Sequence, residues 1–118
     1  MTDSASPAGS LTYLRVVRKV ADAGLSQEEI ANAVGASLRT VQGWAAGSST
    51  PKGIKAQRLL DLKYLVEELS EAYTEEEGIQ IWLHARNRNL DGRRPIELLA
   101  EGQADAVMAE VDRITGGM

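Results

Sequence analysis

Gln27–Ala46, QEEIANAVGASLRTVQGWAA, holds two short helical patterns that meet at a glycine. Ser26 and Glu29 have the spacing of a capping box, in which a hydroxyl and a carboxylate satisfy free backbone N–H groups at a helix start. Ile30, Ala31 and Val34 then fall on one helical face. Gly35 can take positive φ without a Cβ penalty, as a sharp turn between helices requires. Ser37 supplies a second N-cap. After it Leu38, Val41 and Trp44 recur every three residues and are assigned to the core, Trp44 included. Arg39, Thr40, Gln42 and Gly43 remain on the outer face. Guanidinium, hydroxyl and amide groups of this kind reach phosphates and base edges.

The window resembles the Xre/Cro-like helix-turn-helix, with Ala31, Gly35, Val41 and Trp44 at that family's small, glycine and apolar positions. The resemblance implies that Ser37–Gln42 enters the major groove, with Ser37, Arg39, Thr40 and Gln42 as the DNA-contacting residues. The alternative is an ordinary α-hairpin inside a helical bundle, which needs the same caps and the same core.

The rest of the composition narrows the class. A chain of 118 residues makes one domain, or two small modules sharing a core. The absence of cysteine excludes disulfides, thiolate catalysis and Cys-ligated zinc, and suits a reducing cytoplasm. No apolar run approaches the roughly 20 residues that span a bilayer. The start of the chain lacks a basic-then-apolar export pattern, so no membrane association is expected. With no Phe, the core must come from Leu, Val, Ile, Ala and two Trp, which favours helices over a sandwich.

The net charge of −4 is unevenly spread. Residues 1–60 carry seven basic groups (Arg15, Arg18, Lys19, Arg39, Lys52, Lys55, Arg58) against four acidic, a net of +3. Residues 61–118 carry six basic against thirteen acidic, a net of −7. Such asymmetry points to different partners for the two halves. Lys52 and Lys55, in and just beyond the GSSTPKG loop that stops the second helix, are assigned to DNA phosphates. Because phosphate contacts supply most nonspecific affinity, a surplus of +3 favours a homodimer on paired half-sites of operator DNA.

Along the chain, residues 1–10 read as a disordered, Ser/Ala/Gly/Pro-rich leader. Residues 11–53 form the DNA-binding module, opening with a helix over Leu11–Ala23 that ends at Gly24. Residues 54–118 form the second module. There a helix from about Ile54 to Tyr73 carries Leu59, Leu62, Val66, Leu69 and Tyr73 in a 3-4-3-4 spacing. That stripe is either a dimer seam or packing within the protomer. Thr74 and Glu77 predict another capping box, opening a helix through Ile79, Trp82 and Leu83. Asp91-Gly92 is a turn signal, Pro95 opens a short helix closed by Gly102, and a last helix presents Ala104, Val107, Met108, Val111 and Ile114. Residues 115–118 are expected to be a mobile tail. The fold class is all-α: a helix-turn-helix bundle followed by a small helical domain.

Leu90–Gly102, LDGRRPIELLAEG, followed by a helix ending DRITGG, resembles the toxin-binding domain of Xre/MbcA/ParS-type antitoxins. With the first half, the resemblance covers about residues 11–118. It implies a type II antitoxin whose partner is a cognate RES-domain toxin, an enzyme that consumes NAD⁺, within a hetero-oligomeric complex. It also implies that the C-terminal end lies in or near the toxin's active-site opening, and that the helix-turn-helix autoregulates the operon. On this sequence the toxin-contacting residues would be Asp91, Arg93 and Arg94 in the turn, and Arg113, Ile114, Thr115, Gly116, Gly117 and Met118 at the end. Many family members end in a glycine followed by an apolar and an aromatic residue, whereas this chain ends Gly116-Gly117-Met118. Arg113 has a second reading as a cation complementing the last helical turn. The acidic second half would complement a basic groove that receives a dinucleotide.

No catalytic, cofactor-binding or metal-ligating residue is expected. His84 is the sole histidine, lacks a nucleophilic partner, and is assigned to a helix end or surface. The chief competing reading is a stand-alone Xre-like transcriptional regulator whose second half only dimerises or senses a ligand. A weaker third is a protein adaptor that no longer touches DNA.

Overall fold

The computed structural model describes the backbone of residues 5–116 and the side chains of residues 11–75 and 77–116. Seven α-helices follow in order among them: α1 (Ala5–Asp22), α2 (Gln27–Val34), α3 (Leu38–Ala46), α4 (Gly53–Ala72), α5 (Glu76–His84), α6 (Pro95–Ala100) and α7 (Ala104–Thr115). A short 3₁₀ turn over Arg88–Leu90 precedes α6. There is no strand among the described residues; a lone antiparallel bridge pairs Asn87 with Arg93.

The local signals around α2 act as read. Ser26 Oγ accepts from Glu29 N at 3.1 Å while Glu29 Oε1 accepts from Ser26 N at 2.9 Å, so both halves of the capping box exist. Gly35 has φ +79, where Gly35 N and Ala36 N both bond to the Ala31 carbonyl. Ser37 Oγ caps α3 by accepting from Thr40 N at 3.1 Å.

One core serves both halves. Val17 and Val20 of α1, Ile30 and Val34 of α2, and Val41 and Trp44 of α3 are all buried, as are Leu59, Leu62, Leu65, Val66 and Leu69 of α4. The set continues through Leu83, Leu98, Leu99, Val107 and Val111. Helix α4 is the spine, packing on α1 and α2 on one side and on α7 on the other. The 3-4-3-4 stripe is therefore consumed within the protomer.

Four expectations are corrected. Thr115, read as part of a mobile tail, is the last residue of α7. Helix α1 begins at Ala5, inside the stretch read as a disordered leader; residues 1–4 lie outside the described residues. Leu38 is exposed, not core. Steps of three residues drift by about 60° on a helix of 3.6 residues per turn, so Leu38 is rotated well away from the Trp44 direction. The Thr74–Glu77 box does not form: α5 opens one residue later, on Glu75, with no side-chain cap. Gly78 sits over Tyr73, where an added Cβ would come within 2.8 Å of Tyr73 Cβ.

Candidate functional site

Two separate groups of predicted residues must be located. In the first half, Ser37, Arg39, Thr40 and Gln42 are all exposed on α3. Ser37 and Thr40 also hydrogen-bond each other through their hydroxyls at 2.8 Å, so part of their polar capacity is spent on the cap. Arg39 and Gln42 have no such commitment and face outward. Lys52 is exposed beside the α4 start and Lys55 is half-buried. The loop between α3 and α4 is drawn in by Ser48, whose N–H and hydroxyl both donate to the Gly43 carbonyl, at 2.9 and 3.1 Å. A Cβ on Gly43 would lie 2.8 Å from Ser49 Oγ, so a larger residue there would make that hydroxyl rotate away.

In the second half, Asn87–Pro95 forms a tight lobe. Asn87 N donates to the Arg93 carbonyl at 3.0 Å, and Gly92 N returns to the Asn87 carbonyl at 2.9 Å. Asp91 holds φ +58, the one non-glycine residue at positive φ among those described. Aspartate tolerates that region better than most side chains, which is why Asp-Gly suits the corner. Arg93 and Arg94 of this lobe pair with carboxylates of α6 and its end. Arg93 pairs with Glu101 and, at 3.7 Å, with Glu97; Arg94 Nη1 pairs with Glu97 at 3.3 Å. Glu97 also accepts from Arg94 N at 3.2 Å, and these bonds to the charged form hold its carboxyl below the usual range.

The lobe is fastened to α7 by a residue that sequence reasoning missed. Glu110 is only 6% exposed, yet ionised. Arg113 grips it in bidentate fashion, Nε to Oε1 at 2.9 Å and Nη2 to Oε2 at 2.8 Å, and Asn89 Nδ2 donates to it at 3.0 Å. The Arg113 hydrogen bonds, reinforced by Asn89, lower its pKa to about 2. The signal was present: Glu110 stands on the apolar face with Val107, Val111 and Ile114, three residues before an arginine. Glu110 is thus the cross-brace between α7 and the Asn87–Leu90 turn, and Arg113, on the same helix and largely exposed, holds its carboxylate in place.

Ile114 packs half-buried against the core, and Thr115 Oγ1 donates back to the Val111 carbonyl at 2.9 Å. Gly116 ends α7 at φ +73 and is exposed. Gly117 and Met118 lie outside the described residues.

The other missed residue pair is His84 with Glu29. His84 Nδ1 meets the Gln80 carbonyl at 2.7 Å and Nε2 meets Glu29 Oε2 at 2.5 Å. The Glu29 hydrogen bond raises the His84 pKa, assisted by Gln80. For Glu29, burial pushes the carboxyl up, but bonds from His84 and the Ser26 N–H outweigh it and leave the pKa lowered. No grouping of three or more His, Asp or Glu able to hold a metal occurs among the described residues. No helix there is long and apolar enough to cross a membrane.

Comparison with known proteins gives this geometry its context. Residues 68–117 match the antitoxin Xre/MbcA/ParS C-terminal toxin-binding domain. The mycobacterial cidal antitoxin MbcA of Mycobacterium tuberculosis is 34% identical over 95 residues, covering 80% of this chain and 83% of that protein. A probable mycobacterial cidal antitoxin from the same organism is 37% identical over 94 residues, covering 80% and 79%. In the crystal structure of the M. tuberculosis MbcT–MbcA toxin–antitoxin complex, one chain superimposes with a TM-score of 0.72 at 28% identity, over 99% of this chain and 98% of that one.

Proposed function

This chain belongs to the MbcA-type antitoxins of the Xre/MbcA/ParS family, and from that premise we propose that it binds and neutralises a protein toxin through its C-terminal helices. The observation that carries the reading is the match of residues 68–117, which spans the α4 end, α5, the Asn87–Arg93 lobe, α6 and α7. The proposed toxin is of the RES class and consumes NAD⁺. Its docking face is formed by Asp91, the outer edges of Arg93 and Arg94, and the end of α7. The segment from Gly116 to Met118 is the one that enters or covers the toxin's active-site opening. Arg113 contributes mainly by bracing that end through Glu110. Catalysis by this chain is not part of the reading.

The α2–α3 pair is proposed to bind operator DNA at the chain's own promoter, with Arg39 and Gln42 reading base edges and Lys52 and Lys55 on phosphates. The exposure of Arg39, Gln42 and Lys52 and the positive balance of residues 1–60 support it. A homodimer carrying two such surfaces would match paired half-sites, in an assembly with the toxin in the cytoplasm.

The test is co-expression with a candidate RES-class toxin, comparing the full chain with one lacking Gly116–Met118. This truncation spares the Arg113–Glu110 and Thr115–Val111 bonds. Growth protected by the full chain and lost on truncation, with promoter binding retained, is the expected result. Promoter binding without protection by the full chain would instead identify a stand-alone regulator.

A further inference from the structure

Helices α4, α6 and α7 enclose a groove of about 280 Å³. A second hollow of about 210 Å³ shares Asp61, Leu62, Leu99, Ala104 and Asp105 with it and continues to Ile54 and Arg58. From Ile54 to Glu68 the two follow α4 for about 20 Å at 1.5 Å per residue. The floor is apolar, from Leu62, Leu65 and Leu99. Met108 is half-buried, the Tyr64 ring is 62% exposed, and Ile54 at the far end is 63% exposed.

The rim is charged with one sign. Asp61, Glu68, Asp105 and Asp112 border the larger hollow, with no cation in its lining. Asp61 accepts from Gln57 Nε2 at 3.0 Å and Glu68 from Thr115 Oγ1 at 3.4 Å. Among the described residues none of the four carboxylates forms an ion pair, whereas Glu67, Glu97, Glu101 and Glu110 all do. Arg58 is the one cation at the groove and stands at its Ile54 end.

We propose that this groove is a docking surface for a cationic amphipathic helix of the protein partner. The apolar side of such a helix would cover Tyr64 and Met108, and its flanking lysines or arginines would reach the four carboxylates. An anionic segment would meet like charge at all four carboxylates, and nucleic acid would be repelled there through its phosphates. A groove about 20 Å long accepts roughly 14 residues of helix, in the range of helix-in-groove recognition. The lining includes none of Asp91–Arg94 and not Arg113, so the surface is additional to the lobe and the α7 end. The inference rests on the antitoxin reading in taking the occupant from a protein.

The probe is a model helix, LKKLLKLLKKLLKL, titrated into the ¹⁵N-labelled full chain, with its Leu/Glu counterpart as control. The expected outcome is binding of the lysine peptide alone, with shifts centred on Tyr64, Leu65, Leu99 and Met108. Joint Asp61→Lys and Asp112→Lys should weaken it about tenfold or more, while joint Glu71→Lys and Glu75→Lys, of equal charge change, should not. If the reversed chain loses its helical spectrum, Asp61→Asn with Asp112→Asn replaces it and should weaken binding about threefold. No binding, shifts on other acidic faces, or equal loss in the control pair would overturn the proposal. So would a dimer of the free chain abolished by Tyr64→Ala, which would make a second copy the occupant. Toxin neutralised by a chain that ignores the peptide sinks the groove and leaves the antitoxin reading standing. Peptide bound in the groove with no toxin neutralised supports the groove and sinks that reading.

Discussion

His84 Nε2 stands 2.5 Å from Glu29 Oε2, tying the last residue of α5 to the first turn of α2 across 55 positions of sequence. Glu29 is also half of the capping box that starts α2. One carboxylate thus starts the helix that carries the turn at Gly35 and fastens it to the C-terminal half.

The pair makes stability depend on pH in a stated direction. His84 has a raised folded pKa, so its contribution is complete below the ordinary 6.5 and is lost as pH rises through the folded value. Glu29 has a lowered one, so its contribution is present above 4.5 and is lost as pH falls through the folded value. Stability from the pair is greatest between those limits. Because His84 is more than a third exposed, solvent screening keeps the effect below about 1 kcal/mol. Denaturant midpoints of the wild type should fall as pH rises above 6.5, and His84→Gln should flatten that slope.

Removing Arg113 takes both charge-assisted hydrogen bonds from the nearly buried Glu110 carboxylate and leaves it to the neutral amides of Asn89 and Asn87. Arg113→Ala should cost about 1–3 kcal/mol, the range for stranding a buried polar group. Glu110 contributes stability above 4.5 that is lost as pH falls toward about 2. The Arg113→Ala chain should therefore lose that acid-dependent component in circular dichroism titrations.

Both halves should melt together. Leu59→Ala in α4 should cost about 2–5 kcal/mol. Trp44 reports on the first half and Trp82 on the second. In each of the Trp44→Phe and Trp82→Phe chains, the fluorescence of the remaining Trp should change together with the circular dichroism of the whole chain. Two resolved transitions would mean the halves are independent domains.

Gly35→Ala must place a Cβ at φ +79, where it also meets Arg58 Nη1 at 3.2 Å. A loss of about 1–2 kcal/mol is expected by thermal unfolding. Gly92→Ala, with nothing near its added Cβ, should pay only the conformational part.

On promoter DNA, Arg39→Ala and Gln42→Ala should each cost about 1–3 kcal/mol of sequence discrimination without altering unfolding. Lys52→Ala and Lys55→Ala should weaken binding to all sequences and reduce the salt slope by about 0.9 each, read by fluorescence anisotropy. Unchanged promoter binding in all four would remove DNA from the α3 face.

The sequence by itself determined what is local. The Ser26–Glu29 box, Gly35, the Ser37 cap, Pro95 at the start of α6 and Gly116 at the end of α7 stand where their backbone chemistry requires, because each depends on residues a few positions away. Tertiary structure decided which face meets which neighbour. It turned the α4 stripe inward, left Leu38 in solvent, and opened α5 on Glu75. It also joined His84 to Glu29 and Asn89 to Glu110, pairs 55 and 21 residues apart. Periodicity records that a side chain lies on an apolar or a wet face, but a hydrogen bond across the core depends on where two helices come to rest against a third.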